Sequence, residues 1–326
     1  MRALVVERLA PDYAGCVVKD VPTPEPGPGE VRIRVRAAAV NFPDLMQTRG
    51  EHQHKPTVPF VGGMELSGEV DALGAGVMGF TLGDAVVSGG RGGFAEYAIL
   101  PAATLRPKPT TLSFSQAAGY PVAYLTAYVA FSRCAMVQPG EWVLVHGAAG
   151  GVGLAAVDYA RLLGAKVIAA SASDAKLKII QAEYAPDAVV NVAGGFREQV
   201  KAITGGRGAD VIYDPVGGDV FDESVRCIAF GGRILSIGFT SGRLPVLPVN
   251  IALIKGFSVM GVRAGEYGRQ NPAKGLENNA AIWDLAEKGL VKPRVDAEYP
   301  LSEWRAAFET LAQRTVVGKT IIRPDL

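Results

Sequence analysis

The chain has 326 residues, with 33 Lys and Arg against 32 Asp and Glu, 40 glycines and 48% hydrophobic residues. The balanced charge argues against nucleic acid or an anionic membrane as a partner, and the hydrophobic fraction excludes a disordered chain. The glycine content exceeds the usual ~7% without a G-x-y period, which excludes collagen.

The length is typical of two domains. No stretch approaches the ~18 apolar residues of a membrane span, and the first residues lack the apolar region of a signal peptide. Three distant cysteines, Cys16, Cys134 and Cys227, do not predict a disulfide framework. We therefore expect a soluble cytoplasmic protein.

The first 120 residues are typical of β-structure with many turns. Residues 31–36 alternate apolar and basic side chains, which predicts a half-buried strand. Its basic face is better interpreted as a solvated surface than as a binding patch. Residues 22–29 (PTPEPGPG) predict a loop. Short β-like runs among glycines predict a small, bent antiparallel barrel, and these runs are residues 66–70, 84–87 and 94–99.

From residue 121, short apolar runs alternate with helical patterns, which predicts a parallel doubly wound sheet. The first predicted helix ends at Gly164, a natural stop residue. The predicted strands are residues 142–146, 166–170, 187–191, 211–214 and 234–238. The predicted helices start near residue 151 and cover residues 196–204 and 221–229.

The pattern changes after residues 259–262. Two predicted helices, residues 276–288 and 302–313, precede a predicted strand at residues 320–322. This tail is too short for a domain of its own, so we expect it to return to the first. The predicted fold class is α/β, with domains at 1–120, 121–260 and a returning segment at 261–326.

A glycine-rich loop, Gly147-x-x-Gly150-x-x-Gly153, lies between a predicted strand and a predicted helix. Small residues allow a tight turn and a close approach of the backbone to a pyrophosphate, while the helix N-terminus supplies N–H groups. The strand–loop–helix context makes an ordinary glycine turn the weaker alternative. The predicted cofactor-binding residues of this loop are Ala149, Gly150, Gly151, Val152 and Gly153.

The end of the second strand bears on the choice between NADPH and NADH. NAD-binding sites usually carry Asp or Glu there, whereas this chain has Ala170 and Ser171. Ser171 and Ser173 can donate hydrogen bonds and Lys176 adds positive charge, so we predict NADPH. The alternative is that the serines cap the next helix and Lys176 is solvated, and Asp174 keeps NADH open.

The chain has three histidines, His52, His54 and His146. His52 and His54 have no third Cys or His placed to complete a metal site, so a solvated loop is favoured and no metal is predicted. His146 is expected to be structural or near a cofactor phosphate. The sequence has no C-x-x-C for a zinc lobe and no G-x-S-x-G for a serine hydrolase.

The chain resembles the medium-chain dehydrogenase/reductase superfamily, in its zinc-free quinone oxidoreductase branch. The likeness spans essentially the whole chain. It rests on residues 41–44 (NFPD), 63–70 (GMELSGEV), 125–128 (LTAY), 146–153 (HGAAGGVG), 213–218 (YDPVGG) and 231–238 (GGRILSIG). The resemblance implies a discontinuous GroES-like β-barrel catalytic domain, a Rossmann cofactor domain and a homodimer.

Zinc-dependent alcohol dehydrogenases of this superfamily place Cys where Asn41 stands and His where Met64 stands. Without these ligands, alcohol oxidation assisted by a metal is not expected. The resemblance instead implies an electrophilic conjugated carbonyl as acceptor: a quinone, an enone or an enoyl thioester.

The resemblance also implies candidate catalytic residues. Asn41 and Asp44 would lie over the nicotinamide, although Asn-x-x-Asp after a strand could also be only a turn and a helix cap. Tyr124 is a candidate near the domain junction, with packing as the alternative. Met46 stands where several relatives carry a tyrosine.

Further cofactor contacts are implied in the loops after the later strands, where a doubly wound sheet binds its ligand. Near the C-terminus, Arg314 or Lys319 could reach the 2′-phosphate, or could simply carry surface charge. The implied contacts in the loops are Val216, Gly217, Gly238, Phe239, Thr240, Gly261, Val262 and Arg263.

These expectations lead to an NADPH-dependent quinone or enone reductase. One alternative is an enoyl-thioester (enoyl-CoA) reductase, and another is a dinucleotide-binding protein with little catalysis. For the homodimer, residues 244–253 are the expected edge strand through which two cofactor domains pair.

Overall fold

The computed structural model describes residues 1–53 and 55–326. The chain divides into two compact units. The first unit contains residues 1–122 and 293–326, and the second unit contains residues 123–292. The return to the first unit therefore begins at residue 293, whereas the sequence led us to expect residue 261.

In the first segment, the elements are β1 (Arg2–Val6), β2 (Cys16–Asp20), β3 (Glu30–Val40), α1 (Phe42–Arg49), β4 (Phe60–Val61), β5 (Leu66–Leu73), β6 (Ala85–Ser88), β7 (Tyr97–Pro101), β8 (Arg106–Pro107) and α2 (Phe114–Ala118). The next are α3 (Pro121–Tyr128), a π-helix (Val129–Ala135), β9 (Trp142–Val145), α4 (Gly151–Leu162), β10 (Lys166–Ser171), α5 (Asp174–Tyr184), β11 (Ala188–Asn191), α6 (Arg197–Ile203), β12 (Ala209–Asp214), α7 (Gly218–Cys227), β13 (Ile228–Ser236), α8 (Val249–Lys255), β14 (Ser258–Gly261), α9 (Ala264–Gln270) and α10 (Pro272–Glu287). The returning segment contains β15 (Val295–Pro300), α11 (Trp304–Ala312) and β16 (Lys319–Arg323).

The first unit is built around β3. One edge of β3 pairs with β5, and the other pairs with β7 near its start and with β16 near its end. Two register shifts against β5 interrupt the ladder, and such bulges bend a strand. The resulting seven-stranded sheet has the order β15-β16-β3-β5-β6-β8, with β7 beside β3, and β2-β1-β4 form a smaller sheet. The predicted strand at residues 31–36 is confirmed.

Two of the three arginines on the basic face of β3 pair with carboxylates of the adjacent strand. Arg32 pairs with Asp71 at 2.6 Å and Arg36 pairs with Glu69 at 2.6 Å, both acids lying on β5. This pairing agrees with the solvated-face interpretation of the alternating pattern.

The second unit contains a six-stranded parallel sheet in the order β11-β10-β9-β12-β13-β14. Counted along the chain, this order is 3-2-1-4-5-6, the arrangement of doubly wound dinucleotide-binding sheets. Val143, Leu144 and Ile212 have no exposed surface, as expected for strands covered on both faces. The predicted α/β fold class is confirmed. Strand order reverses between β9 and β12, so the loops after these strands flank the usual ligand position.

The predicted edge strand at residues 244–253 is wrong. The chain is irregular before Pro248 and helical from Val249, and the strand at this edge of the sheet is β14. Apolar side chains line this stretch, but their spacing does not distinguish a short helix from a strand.

Within the described residues, none of the helices combines the length and the apolar character that crossing a membrane requires.

Candidate functional site

The glycine-rich loop joins β9 to α4. Gly150 is the N-cap residue of α4, and no side chain caps this helix end. The first-turn N–H groups therefore lack a side-chain partner, and the helix dipole favours an anion beside them. A Cβ on Gly153 would lie 2.1 Å from the carbonyl oxygen of Gly147, so only glycine fits there. The predicted contacts Ala149, Gly151 and Val152 lie in the same loop and first turn.

The end of β10 carries the residues predicted to distinguish the two cofactors. Ser171 is the last residue of β10, and Ser173 is the N-cap of α5. The Ser173 Oγ accepts a hydrogen bond from the Lys176 backbone N at 3.5 Å. Capping uses an oxygen lone pair and leaves the hydroxyl hydrogen for a phosphate, so capping and phosphate binding are compatible. The Asp174 carboxylate accepts a hydrogen bond from the Asn191 amide at 2.6 Å.

The loops after β12 and β13 are tied together. Asp214, the last residue of β12, accepts hydrogen bonds through Oδ1 from Val216 N at 2.8 Å and Gly217 N at 2.9 Å. Thr240 Oγ1 donates to the Pro215 carbonyl at 3.1 Å. Burial raises the pKa of Asp214. The second loop also carries the predicted residues Gly238 and Phe239.

The last group of predicted contacts follows β14. Gly261 ends this strand, and the Val262 backbone N donates to the Ser236 carbonyl at 3.0 Å. Arg263 is exposed and begins α9, with Glu266 3.8 Å away. The structure therefore places the predicted cofactor contacts of the second unit at the carboxyl ends of parallel strands of one sheet or in the loops and first helical turns that follow them.

His146 follows β9 and is buried. Its Nε2 lies 2.9 Å from Ser224 Oγ, which itself donates to the Val220 carbonyl at 2.7 Å. This arrangement makes Nε2 the donor to Ser224. Burial lowers the pKa of His146 to about 3, so its ring is neutral. The buried contacts support the structural alternative, which stays a prediction.

The first unit contains a polar cluster, which we call the buried cluster: Asn41, Asp44, Glu65 and Lys319. None of the four is more than 9% exposed. The Lys319 ammonium donates to Asn41 Oδ1 at 2.6 Å and to Glu65 Oε2 at 3.2 Å. Asn41 Nδ2 also donates to Glu65 Oε2, at 3.1 Å. The surface-charge alternative is therefore wrong for Lys319, whereas Arg314 is exposed. A contact of either residue with a 2′-phosphate stays a prediction.

Asn41 and Asp44 form the start of α1. Asn41 is the N-cap residue, and its backbone N donates a hydrogen bond to Asp44 Oδ2 at 2.8 Å. This contact is the one that the helix-cap alternative predicts, and a catalytic role for either residue stays a prediction. Among the described residues, Asp44 Oδ1 has no hydrogen-bond partner. Burial raises the pKa of Asp44 to about 7, against the lowering effects of the Asn41 N–H and the Lys319 ammonium.

Replacing Asp44 with Asn should make the stability difference between variant and wild type depend on pH. The raised pKa means that Asp44 stabilises the fold when protonated and that this stabilisation is lost as pH rises from about 4 to about 7. Asn cannot ionise, so D44N should gain roughly 2–4 kcal/mol relative to wild type across this range and level off above it. Urea unfolding at a series of pH values measures the difference. Asp20→Asn, at an exposed position on β2, controls for the substitution itself, and a D44N difference that is constant with pH would contradict the prediction.

Tyr124 lies on α3 and is 3% exposed. Its hydroxyl donates to Asp158 Oδ2 at 2.6 Å, and the Lys292 backbone N donates to the same oxygen at 2.8 Å. Burial raises the pKa of Asp158. These contacts support the packing alternative, and a catalytic role for Tyr124 stays a prediction. Met46 is half-buried on α1.

The predictions about metals concern two loop histidines. His52 is half-buried, and His54 lies outside the described residues. Among residues 1–53 and 55–326, no group of three or more His, Cys, Asp or Glu side chains is placed to hold a metal ion. The absence of a resident metal stays a prediction.

Two buried polar residues of these sites, Asp214 and Glu65, were not singled out from the sequence, and Lys319 was named only for a 2′-phosphate contact or for surface charge. Asp214 had a usable signal, because it ends an apolar strand and precedes Pro-Val-Gly-Gly. The contact between Glu65 and Lys319 had no such signal, because it joins positions 254 residues apart.

Two family models match the chain. The model described as "Alcohol dehydrogenase GroES-like domain" matches residues 27–110, and the model described as "Zinc-binding dehydrogenase" matches residues 151–278. The two matches fall in the first and second units, respectively.

Individual proteins are similar over most of their length. The quinone oxidoreductase-like protein 2 homolog of Nematostella vectensis is 40% identical over 88% of this chain and 79% of its own. Quinone oxidoreductase of Rattus norvegicus is 31% identical over 93% and 92%. The crystal structure of Escherichia coli quinone oxidoreductase complexed with NADPH superposes with a TM-score of 0.89 at 27% identity, covering 99% of this chain and all of that one.

The zinc implied by one model's description does not fit the residues of the buried cluster. Asn41 replaces a cysteine ligand of the zinc-dependent enzymes, and its side-chain oxygen faces the Lys319 ammonium at 2.6 Å. A divalent cation beside this oxygen would be repelled by the ammonium.

Proposed function

Because the chain belongs to the medium-chain dehydrogenase/reductase superfamily, in its quinone oxidoreductase branch, we propose that it transfers a hydride from NADPH to a quinone or another conjugated carbonyl compound. The observation that carries the proposal is the uncapped α4 N-terminus behind Gly147–Gly153, with Asp214 bracing the neighbouring loop. The NADPH complex of the E. coli relative supports the same assignment.

Bound NADPH supplies the hydride from C4 of its nicotinamide. In this proposal, the first turn of α4 binds the pyrophosphate through backbone N–H groups. The loops that contain Val216 and Thr240 hold the ribose and nicotinamide, and their mutual hydrogen bonds keep them in one position. A conjugated carbonyl accepts hydride without a metal because it is already electrophilic.

The preference for NADPH rests on the end of β10. The strand end carries Ala170 and Ser171 rather than an acidic residue, and the carboxylate of Asp174, three residues further on, accepts a hydrogen bond from Asn191. Ser171, Ser173 and Lys176 supply hydroxyl hydrogens and positive charge for a 2′-phosphate.

The experiment follows NADPH and NADH oxidation in parallel with a small quinone, an enone and an enoyl-CoA. We expect turnover with the quinone or the enone, and at least ~10-fold tighter binding of NADPH than NADH, since a charged phosphate contact contributes about 1.4 kcal/mol or more. Lys176→Ala should reduce this preference.

Each alternative has its own outcome in the same assay. Turnover with enoyl-CoA alone would identify an enoyl-thioester reductase. Tight NADPH binding without turnover of any acceptor would leave a dinucleotide-binding protein with little catalysis, and a preference for NADH would contradict the cofactor assignment.

We also propose that the protein is a homodimer and that it is located in the cytoplasm. In the described part of the second unit, β14 ends the sheet order and leaves an open strand edge. Large apolar side chains beside the last strands are about two-thirds exposed or more, which is typical of an interface. They are Phe230, Leu244, Val246, Val249, Leu253 and Ile254.

Light scattering tests the dimer. We expect a mass twice that of the chain for wild type and a monomer for a Leu253→Glu/Ile254→Glu variant, because buried charges without partners destabilise an interface. Leu82→Glu, at a position 67% exposed in the first unit, is the matched control and should stay dimeric. A monomeric wild type would refute the proposal.

A further inference from the structure

Asp174 carries a carboxylate that opposes the proposed choice of NADPH. It is the first residue of α5, it is exposed, and it lies three residues beyond the end of β10, the second strand of the parallel sheet. An acidic side chain near the end of this strand accepts hydrogen bonds from the ribose hydroxyls of NAD and repels the 2′-phosphate of NADPH. The position of the Asp174 carboxylate therefore bears on which cofactor binds.

The side chain of Asn191 holds this carboxylate at the end of β11. Asn191 is the last residue of β11, and it pairs in register with Ser171 at the end of β10. Its Nδ2 donates to Asp174 Oδ1 at 2.6 Å. Because the acceptor is charged, this hydrogen bond is stronger than one between neutral groups.

The amide of Asn191 is fixed in the orientation that this bond requires. Its Oδ1 accepts from the Ala193 backbone N at 2.9 Å, so the opposite orientation would turn the NH₂ group to an N–H donor and the oxygen to a carboxylate. The Val192 backbone N donates to the Ser171 carbonyl at 3.1 Å, which joins the loop after β11 to β10. Asn191 is thus held in place by its own loop.

The strand order gives the direction in which the carboxylate is held. β10 lies between β11 and β9, and the glycine-rich loop follows β9. Asn191 therefore draws Asp174 toward β11, on the side of β10 opposite to the glycine-rich loop. In the proposed binding mode, the pyrophosphate lies at that loop and the adenosine ribose lies beside the end of β10, so the held carboxylate is on the far side of β10 from the pyrophosphate.

Two serines beside Asp174 keep hydrogens that a phosphate can accept. Ser171 Oγ accepts from the Ser173 backbone N at 3.4 Å, and Ser173 Oγ accepts from the Lys176 backbone N at 3.5 Å. Each oxygen is used as an acceptor, which leaves the hydroxyl hydrogen to donate. A released Asp174 carboxylate, on the same helical turn, would compete with a phosphate for these hydrogens.

We propose that Asn191 is a positioning residue for cofactor specificity. By holding Asp174 at the end of β11, it keeps a carboxylate away from the 2′-position of the cofactor and so favours NADPH over NADH. The inference rests on the proposed function, in which NADPH supplies the hydride. It adds to the phosphate-binding residues one that acts through its neighbour.

A double-mutant cycle tests this assignment. Fluorescence titration gives the Kd of NADPH and of NADH for wild type, Asn191→Ala, Asp174→Ala and the double variant. In Asn191→Ala, we expect the preference for NADPH to fall ~5-fold or more, because the released carboxylate repels the 2′-phosphate. In the double variant the preference should return, since no carboxylate is left to release, and a merely structural role of Asn191 would not give this rescue.

Gln199→Ala is the matched control. Gln199 Nε2 donates to the carbonyls of Asn191 and Gly195 at 3.2 and 2.9 Å, so its loss loosens the same loop and leaves the Asn191 amide in place to bond Asp174. The control should keep the preference of wild type. Thermal unfolding checks that every variant folds.

A second readout uses only the adenosine half of the cofactor and needs no turnover. Adenosine 2′,5′-bisphosphate and adenosine 5′-monophosphate differ in the 2′-phosphate alone, and calorimetry measures both affinities. Asn191→Ala should reduce the advantage of the bisphosphate. The reduction should be smaller at high salt than at low salt, because salt screens repulsion between exposed charges.

The outcomes separate this inference from the proposed function. If wild type prefers NADPH and Asn191→Ala keeps the full preference, or if Asp174→Ala does not restore a lost one, the inference is overturned and the proposed function stands. A wild type that binds NADH more tightly would refute the NADPH assignment and the inference with it. Loss and rescue of the preference without turnover of any acceptor would support the inference and refute only the proposed reaction.

Discussion

Gly153→Ala is expected to destabilise the second unit and abolish detectable NADPH binding. The added Cβ would lie 2.1 Å from the Gly147 carbonyl oxygen and 2.7 Å from its carbon. Both are backbone atoms of the loop between β9 and α4, so the clash cannot be relieved by a change of side-chain conformation. Relieving the contact requires separating the loop from the helix, and we expect a loss of about 3 kcal/mol or more. Thermal unfolding and NADPH fluorescence titration measure the two effects.

Gly150→Ala separates folding from binding at the same loop. Its Cβ would lie 3.4 Å from the Gly147 carbonyl oxygen, an ordinary contact, and Gly150 has a φ of −77° that alanine adopts readily. We expect wild-type stability but weaker NADPH binding, because the methyl group stands where the backbone approaches the pyrophosphate.

Gly194→Ala adds a Cβ with nothing within 4 Å and should change neither stability nor binding. A Gly153→Ala variant that melts like wild type would contradict the loop geometry. If the Gly150→Ala variant binds NADPH normally, the pyrophosphate does not bind at this loop.

The same local chemistry explains why the second unit was predictable from the sequence. Its strands are short and apolar, its loops contain glycine at defined turns, and Gly164 adopts a φ of +74° just after α4. Each of these signals depends on neighbouring residues only. Strand order then follows from the alternation of strands and helices, which restricts a parallel sheet to few topologies.

The misjudged segments depend on distant parts of the chain. Residues 261–292 follow the last strand of the parallel sheet, and their sequence is typical of a segment that returns to the first unit. They stay in the second unit, where Arg133 on the π-helix donates hydrogen bonds to Asn278 at 2.7 Å and to Glu277 at 2.8 Å. Nothing near these residues in the sequence indicates that partner. The helix at Val249–Lys255 was missed because most of its apolar residues are exposed, so they do not form the regular buried face that indicates a helical period.

The buried cluster also combines residues that are distant in the sequence, so only part of it could be predicted. Asn41 and Asp44 follow a predicted strand and were recognisable from local pattern and family resemblance. Lys319 lies 278 residues from Asn41, on a strand whose pairing with β3 is a tertiary event. A lysine near the end of a chain is ordinarily solvated, so only the folded structure reveals that this one is buried and paired.

Asp214→Ala should lower NADPH affinity by ~10-fold or more and stability by about 2 kcal/mol, because the Val216 and Gly217 N–H groups lose their shared acceptor. Gly217 has a φ of +68°, a conformation that the loop keeps only while it is held. Equilibrium titration with NADPH and urea unfolding give the two values.

Asp214→Asn is the matched control, because it keeps an oxygen at the accepting position. Burial already raises the pKa of Asp214, so the fold gains little from the negative charge itself and the amide should behave nearly as wild type. If Asn is as defective as Ala, the charge rather than the loop geometry matters. If Ala loses stability but binds NADPH normally, the loop after β12 does not contact the cofactor, and the proposed nicotinamide position must move away from the point where the sheet reverses its strand order.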